Sequence, residues 1–542
     1  MRLKFMAKIV ACGGAILFGA APANAATITG TIVDAATDQP VAARLYLQSA
    51  AGDWFFAESA AAAGSAVRYA KTNWINSRAV EVHTTLSAHP FHVELPPGRY
   101  TVTAERGKEY HPLVQALEVG TAPLQVKLPL QRWVNMAKRG WFSGDGHLHR
   151  TLQELPNVIL AEDLNVALPQ THWVTKAFQP PTSGDKNTER EVTPELIYAD
   201  ATHVIWPLNT EYEIHDVAGK FHNLGAVFIL NHRKPFTFGA PPMGAVAEEA
   251  HRQGALLDMD KCYWTWSLML PPVMNIDLYE LANNQIWRTE FGFTNFNVPA
   301  PAFMNLPDEG RSGGERDWID YTLRSYYTLL NCGFRMRPTA GTASGVHPVP
   351  AGFGRVYVHC PRGFNYDVWM QGLDAGRSFV TTGPMLLAKL NGQIAGGTVK
   401  RTAAGQSQVE ITATILSETP VSALELIVNG EIIPGPIREA GRNSEGAWEY
   451  TFNGVVRLSG TSWIALRCWE NRAGGRPRFA HTAPAWFDVD RAPLRPKREE
   501  VDWLITRMKE QITFNTGVLP PAAVDEYRRA LSIYERIAES AR

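Results

Sequence analysis

Apolar and polar positions alternate with a two-residue period over the first quarter of the chain. Residues 27–33, 43–47, 91–95, 100–104 and 125–128 each read as a short, half-buried strand. Pro96-Pro97-Gly98 supplies a turn between two of them, because proline fixes φ and glycine tolerates positive φ. Short strands punctuated in this way predict a small β-sandwich over 26–130. From 131 to 385 apolar strands, such as 226–230, 276–281 and 355–358, are interspersed with helical and loop segments. That mixture favours an α/β barrel or a layered α/β domain. The two-residue period returns at Val409, Ile411, Ala413 and Ile415, and at Leu424, Leu426 and Val428 ahead of the turn pair Asn429-Gly430. With Ile464, Leu466 and Cys468 it predicts a second β-sandwich over 386–490. Residues 491–542 change to a helical period. Val501, Leu504, Ile505, Met508 and Ile512 form one stripe, and Val524, Tyr527, Leu531 and Tyr534 another. Both stripes are of the kind that docks on the rest of a protein.

The first 25 residues stand apart. Arg2, Lys4 and Lys8 precede an apolar run over 9–21, and Ala23-Asn24-Ala25 suits signal peptidase. An export signal is predicted, with a mature chain starting at Ala26 in the periplasm or outside the cell. Ile9-Val10-Ala11-Cys12 also resembles a lipobox, but almost no apolar chain precedes Cys12. No later run is long and apolar enough to span a bilayer. Over 542 residues, 45% hydrophobic and 19% charged residues are those of a globular protein with large cores. With a net charge of -1 and no Lys/Arg block, nothing points to a nucleic-acid or anionic-membrane footprint. A small-molecule substrate is the expected partner, and the oligomeric state is left open. Beyond the signal, Cys262, Cys332, Cys360 and Cys468 permit either disulfides or buried thiols. Their spacing does not suggest a thiolate metal site.

The chemistry concentrates in the middle of the chain. Residues 144–149 read Gly-Asp-Gly-His-Leu-His, entered from a short strand over 139–142. Side chains at i and i+2 of a strand share a face, so His147 and His149 aim at one point. Such convergence suits a divalent cation bound through neutral imidazoles. Residues 209–216, Asn-Thr-Glu-Tyr-Glu-Ile-His-Asp, are dense in oxygen and nitrogen donors. Phe221-His222-Asn223-Leu224-Gly225 follows, and then an apolar strand running into Asn231-His232-Arg233-Lys234-Pro235. His172 lies after another short apolar stretch, and Glu280 sits within Asp277-Leu278-Tyr279-Glu280-Leu281. A carboxylate buried there needs a partner. Taken singly, Glu213 or His215 also reads as a solvated loop residue. Together, histidines and acids at successive strand ends favour a metal site.

Residues 141–149, Trp-Phe-Ser-Gly-Asp-Gly-His-Leu-His, resemble the opening motif of the PHP (polymerase and histidinol phosphatase) superfamily. The closer resemblance is to its exported CehA/McbA-type (carbaryl-hydrolase-like) branch of metallohydrolases. Asn209-Thr210-Glu211, His222-Asn223-Leu224-Gly225 and Asn231-His232-Arg233 resemble that branch's later motifs, as does 376–384. Residues 30–34 and 95–102 resemble carboxypeptidase-regulatory-like modules, which pack or tether. The resemblance covers about 140–390 and implies a distorted seven-stranded β/α barrel, flanked by the two sandwiches and holding up to three metals. It implies that His147 and His149 bind a first metal, that Glu211 bridges two, and that His222 and His232 serve the others. His172 would match the histidine of a Thr-Asp-His motif, although Gln170-Thr171-His172 lacks the aspartate. Where the superfamily often shows Ser-Asp-Ser-His, this chain has Ala343 at the aspartate position and Gly345 at the histidine position, with His347 two residues on. One or two ions are therefore expected rather than three.

Imidazole and carboxylate donors, with Glu280 among them, suit Zn²⁺ or Mn²⁺. Such a cation lowers the pKa of its water from about 15.7 to about 7. Arg150 and Arg233, each beside a proposed ligand, are candidates to stabilise an oxyanion, and Asp145 to orient a histidine. The expected function is an exported metal-dependent hydrolase cleaving an ester, amide or carbamate. A phosphoesterase of the wider superfamily and a non-catalytic binding protein with a degenerate metal site are the alternatives. Specificity would reside in loops such as 178–190 and 291–316.

Overall fold

The computed structural model describes residues 25–184, 192–293, 296, 298–306, 313–401 and 407–542. Nearly all of the expected export signal, and parts of the two loops expected to set specificity, lie outside them. The protein is mostly β, arranged in several sheets with a helical C-terminal tail.

The five strands expected in the first domain are all present. Ala26–Asp34 runs parallel to Leu124–Leu130 and antiparallel to Phe91–Leu95, and Ala43–Ser49 lies between Val80–Leu86 and Gly98–Glu105. Their inward faces bury Ile28, Ile32, Leu45, Leu47, Val93 and Val102 in one core. The strands Ala66–Thr72 and Val80–Leu86 escape the sequence pattern, since charged and hydroxyl side chains interrupt the apolar period of both.

Two sheets build the middle of the molecule. One has seven strands, in the order Thr182–Ser183, His172–Lys176, Thr210–Val217, Lys220–Leu230, Leu256–Met259, Leu278–Ala282 and Arg337–Ala340. Parallel and antiparallel pairs are mixed within it. In the other, Trp141–Leu148 lies between Val166–Pro169 and Arg355–His359. The two sheets meet at the end of Trp141–Leu148, where Leu148 bridges to Ser344. Among the described residues the ladders run as open sheets.

The boundary expected near 385 is crossed by a sheet. Ser378–Thr381 pairs with both Arg355–His359 and Pro477–Thr482, so the central sheet continues into the C-terminal strands. A shared core joins Trp141, Tyr357 and Phe379 to Ile411, Ile415, Leu466 and Phe487. The expected Asn429-Gly430 turn links Val421–Val428 to Glu431–Gly435, with φ of 50° and 81° at its two central residues. A two-residue hairpin of this twist needs positive φ at both.

Both helical stripes dock. Arg498–Asn515 buries Val501, Leu504 and Met508, and Pro521–Ala538 buries Val524, Tyr527 and Tyr534. The Glu526 carboxylate accepts from the backbone N–H groups of Met243 and Gly244 at 2.7 Å each, at the start of the helix Gly244–Arg252. Negative charge is favourable there, where helical N–H groups have no internal acceptor. Cys262, Cys332, Cys360 and Cys468 are all free thiols, and burial pushes their pKa values up. No described helix is long and apolar enough to cross a membrane.

His481 joins the C-terminal strands to the helix Glu315–Asn331. It contacts the Tyr327 hydroxyl at 2.8 Å and the Thr482 carbonyl at 2.7 Å. Burial, then the nearby Arg467, lowers its pKa to about 3. The unfolded chain takes up this proton near pH 6.5, so stability is full above that value and falls as pH drops towards about 3. His481→Gln should flatten stability against pH in that window by up to about 1.4 kcal/mol per pH unit, one proton's worth. Urea unfolding at several pH values measures the slope; an unchanged slope would refute the assignment.

Candidate metal centre

The His-x-His pair lies at the end of Trp141–Leu148, as its spacing predicts. His147 Nε2 and His149 Nε2 are 3.2 Å apart, and His149 Nε2 is 3.3 Å from Glu211 Oε2. All three side chains are buried, and their donor atoms fall within 4.8 Å of one another. His147 Nδ1 lies 3.2 Å from Glu280 Oε2. An ionised carboxylate at that nitrogen would hold the proton on Nδ1 and leave Nε2 for a cation shared with His149 and Glu211. Close approach here needs Gly341: a Cβ at that position would lie 2.3 Å from His147 Cβ and 2.7 Å from Glu280 Cδ.

Glu211, Glu213 and His215 alternate with Tyr212 and Ile214 along the strand Thr210–Val217. The first three line a cleft, while Tyr212 and Ile214 enter the core. The segment is therefore a strand with its donors on one face, and the loop reading is set aside. Two strands along the same sheet, Leu256–Met259 brings further acids. Asp258 accepts from the Thr339 hydroxyl at 2.7 Å, and Asp260 forms a second possible ligand group with His147 and Glu280. Lys261 Nζ stands 2.8 Å from Glu213, 3.0 Å from Asp260 and 3.5 Å from Glu211.

Charge in this pocket is unbalanced. Glu211, Asp258, Asp260 and Glu280 are buried and Glu213 is nearly so, with Lys261 the cation that meets three of them. Burial, reinforced by Asp260, holds the Glu280 carboxyl well above the usual carboxylate range. Burial, with Glu280 beside it, does the same to Asp258. Burial alone would push the Lys261 ammonium down, but Asp260, Glu213 and Glu211 outweigh it and hold it well above the ordinary lysine value. Glu280 Oε1 is buried without a hydrogen-bond partner among the described residues. A pair of imidazoles, an excess of buried carboxyls and that unpartnered oxygen fit a divalent cation, which would replace the protons that Glu280 and Asp258 otherwise carry.

The cleft above the pair has a volume of about 520 Å³. Trp173, Tyr263, Trp264, Phe293 and Trp318 wall it, and the N-terminal sandwich adds Trp74 at the mouth, 67% exposed. Lys261 also lines it. His347 belongs to this wall, with its ring 4.9 Å from that of Trp74 and 5.7 Å from that of Trp287.

Several residues named from the sequence are placed elsewhere. His222 contacts Asn515 at 2.8 Å and stacks on Phe514, so it ties the C-terminal tail to the central sheet. His232 contacts the Thr210 hydroxyl at 2.8 Å and the Lys234 carbonyl at 2.9 Å, which engages both ring nitrogens. Burial lowers its pKa to about 3. His172 lies across the ladder from Thr210 and outside both ligand groups. Arg150 stacks on Tyr69 at 4.0 Å and reaches Glu154 at 3.4 Å, while Arg233 is exposed; neither lines the cleft. Asp145 accepts from the backbone N–H of His147 at 3.0 Å, the Thr342 hydroxyl at 2.6 Å and the Gly352 N–H at 2.8 Å. It positions the His147 backbone rather than an imidazole. Gly345 has a φ of 109°, and its N–H donates to the Tyr69 hydroxyl at 2.9 Å.

Sequence reasoning missed Asp258, Asp260 and Lys261. The signal was present: Asp-x-Asp-Lys at the end of a short apolar strand puts both acids on one face. In comparisons with protein-family models, curated proteins and solved structures, the chain matches none.

Proposed function

We propose that the protein is an exported metal-dependent hydrolase that cleaves an ester, amide or carbamate in an apolar, aromatic small molecule. The convergence of His147, His149 and Glu211 at the base of an aromatic cleft carries this reading. These three side chains hold the ion, Zn²⁺ or Mn²⁺ by donor type. When bound, such an ion supplies Lewis acidity and acidifies water. Glu280 fixes the His147 tautomer. Lys261 lines the cleft beside Glu211 and takes the oxyanion-stabilising role first considered for Arg150 and Arg233. Asp260 with the free oxygen of Glu280 offers room for a second ion. The aromatic walls receive a flat apolar group and exclude water around the scissile bond. Membership of the PHP superfamily's CehA/McbA-type branch is part of the proposal and rests on the motifs quoted above, as export rests on the pattern of residues 1–25.

A phosphoesterase fits the cleft less well. Lys261 is the only lysine or arginine among its described lining residues, and it already faces carboxylates. The test is metal analysis of the purified protein, with hydrolysis of aryl ester, carbamate and phosphate reporters in added Zn²⁺ or Mn²⁺. At least one ion per chain is expected, together with turnover of an ester or carbamate. Metal-free protein that stays inert in both metals would favour the binding-protein reading. Turnover of the phosphate alone would favour the phosphoesterase.

A further inference from the structure

A second cleft, of about 300 Å³, opens where the N-terminal sandwich, the central domain and the C-terminal strands meet. Arg44 and Lys108 reach it from the first, Arg288 and Arg355 from the second, and Arg472, Arg476 and Arg478 from the third. Glu105, Glu162 and Glu418 are the acids among its described lining residues.

Carboxylates compensate most of these cations. Arg44 pairs with Glu105 at 2.7 Å and Glu162 at 2.6 Å, Arg288 with Glu81 at 2.9 Å, and Arg472 with Glu470 at 2.6 Å. Arg476 and Arg478 share the one carboxylate of Glu315, at 2.9 and 3.1 Å. Lys108 and Arg355 have no carboxylate within ion-pair distance among the described residues. The Lys108 ammonium donates to the Thr382 carbonyl at 2.8 Å, and the fully buried Arg355 donates to the carbonyls of Gly352 and Glu162 at 2.6 and 3.1 Å. Two further donors, Arg44 Nε and the Thr289 hydroxyl, are buried there without a hydrogen-bond partner. Burial, then Arg355, Arg478 and Arg472, pushes the Lys108 ammonium well below the usual lysine range, and burial pushes Arg478 down to about 10. Buried cations with too few carboxylates, and donors without acceptors, are costly unless an anion completes the set. Guanidinium forks and an ammonium are the donors that oxyanions favour.

We propose that this junction binds a small multivalent oxyanion of the phosphate or sulfate class, as a free ion or as the end group of a larger ligand, through Lys108, Arg44 and Arg478. Because the site draws on three parts of the chain, its occupancy stabilises all of them at once. Thermal unfolding of the full-length mature protein tests this in inorganic phosphate, in glycerol 3-phosphate and in chloride at matched ionic strength. Phosphate should raise Tm by a few degrees over chloride, and Lys108→Met and Arg478→Gln should each remove more than half of that increment. In chloride alone Lys108→Met should leave Tm unchanged or higher, since it removes an uncompensated cation. An increment from the monoester at least as large as that from phosphate assigns the site to a ligand's end group; one from phosphate only assigns it to the free ion. No increment over chloride, or an increment that both variants retain, overturns the proposal.

Discussion

Replacing His147 and His149 together with alanine is expected to strip the bound ion and abolish hydrolysis while the chain remains folded. Both Nε2 atoms face the ligand group, and they stand 3.2 Å apart. Loss of even a residue that only orients a ligand lowers metal affinity or activity roughly 10- to 100-fold. Loss of two direct ligands should exceed that and leave turnover at background. The fold should persist because Glu280 and Asp258, which burial holds well above the usual carboxylate range, can carry protons once the ion is gone. Metal analysis, turnover of the preferred reporter and near-ultraviolet circular dichroism check the three parts. Wild-type turnover with a full complement of metal in this variant would end the metallohydrolase proposal.

The second large effect concerns Gly345, where the superfamily resemblance would place a histidine. Gly345→His should destabilise the protein by about 3 kcal/mol or more and should add no ion. A φ of 109° is a conformation that side chains rarely adopt, and a Cβ there would stand 2.0 Å from the His149 carbonyl oxygen. Gly345→Ala should carry most of the same cost, because the clash begins at Cβ. Denaturant unfolding gives the loss and metal analysis gives the stoichiometry. A stable Gly345→His protein holding an extra ion would show that the segment can rebuild the missing ligand, and it would restore the fuller metal set. The structure instead uses this glycine for packing. The Tyr69 hydroxyl from the N-terminal sandwich accepts from Gly345 N–H and donates to the His347 carbonyl, at 2.9 and 2.6 Å. Those bonds tie the N-terminal sandwich to the segment around Ser344, whose carbonyl accepts from the His149 N–H at 2.8 Å.

Features that depend on consecutive residues were legible in the chain itself. Alternation with period two marks Ala26–Asp34, Phe91–Leu95 and Val421–Val428, since a strand turns every second side chain to one face. The same geometry makes His147 and His149 converge. Helical stripes identify Arg498–Asn515 and Pro521–Ala538 for the corresponding reason at period 3.6. Which residues join the histidines is a matter of strand order and register, which no local pattern specifies. Glu211 is delivered by a strand two removed from Leu256–Met259, and Glu280 by the parallel neighbour of that strand. His232 and His222 sit in equally suggestive motifs, yet register turns one towards Thr210 and the tail helix captures the other. Lys261 reads as one lysine among many until the fold surrounds it with Glu211, Glu213 and Asp260. Charge compensation is a sum over neighbours in space. The two-residue period therefore sufficed for these strands and the His-x-His pair, whereas the ligand set, its cation and its walls had to await tertiary packing.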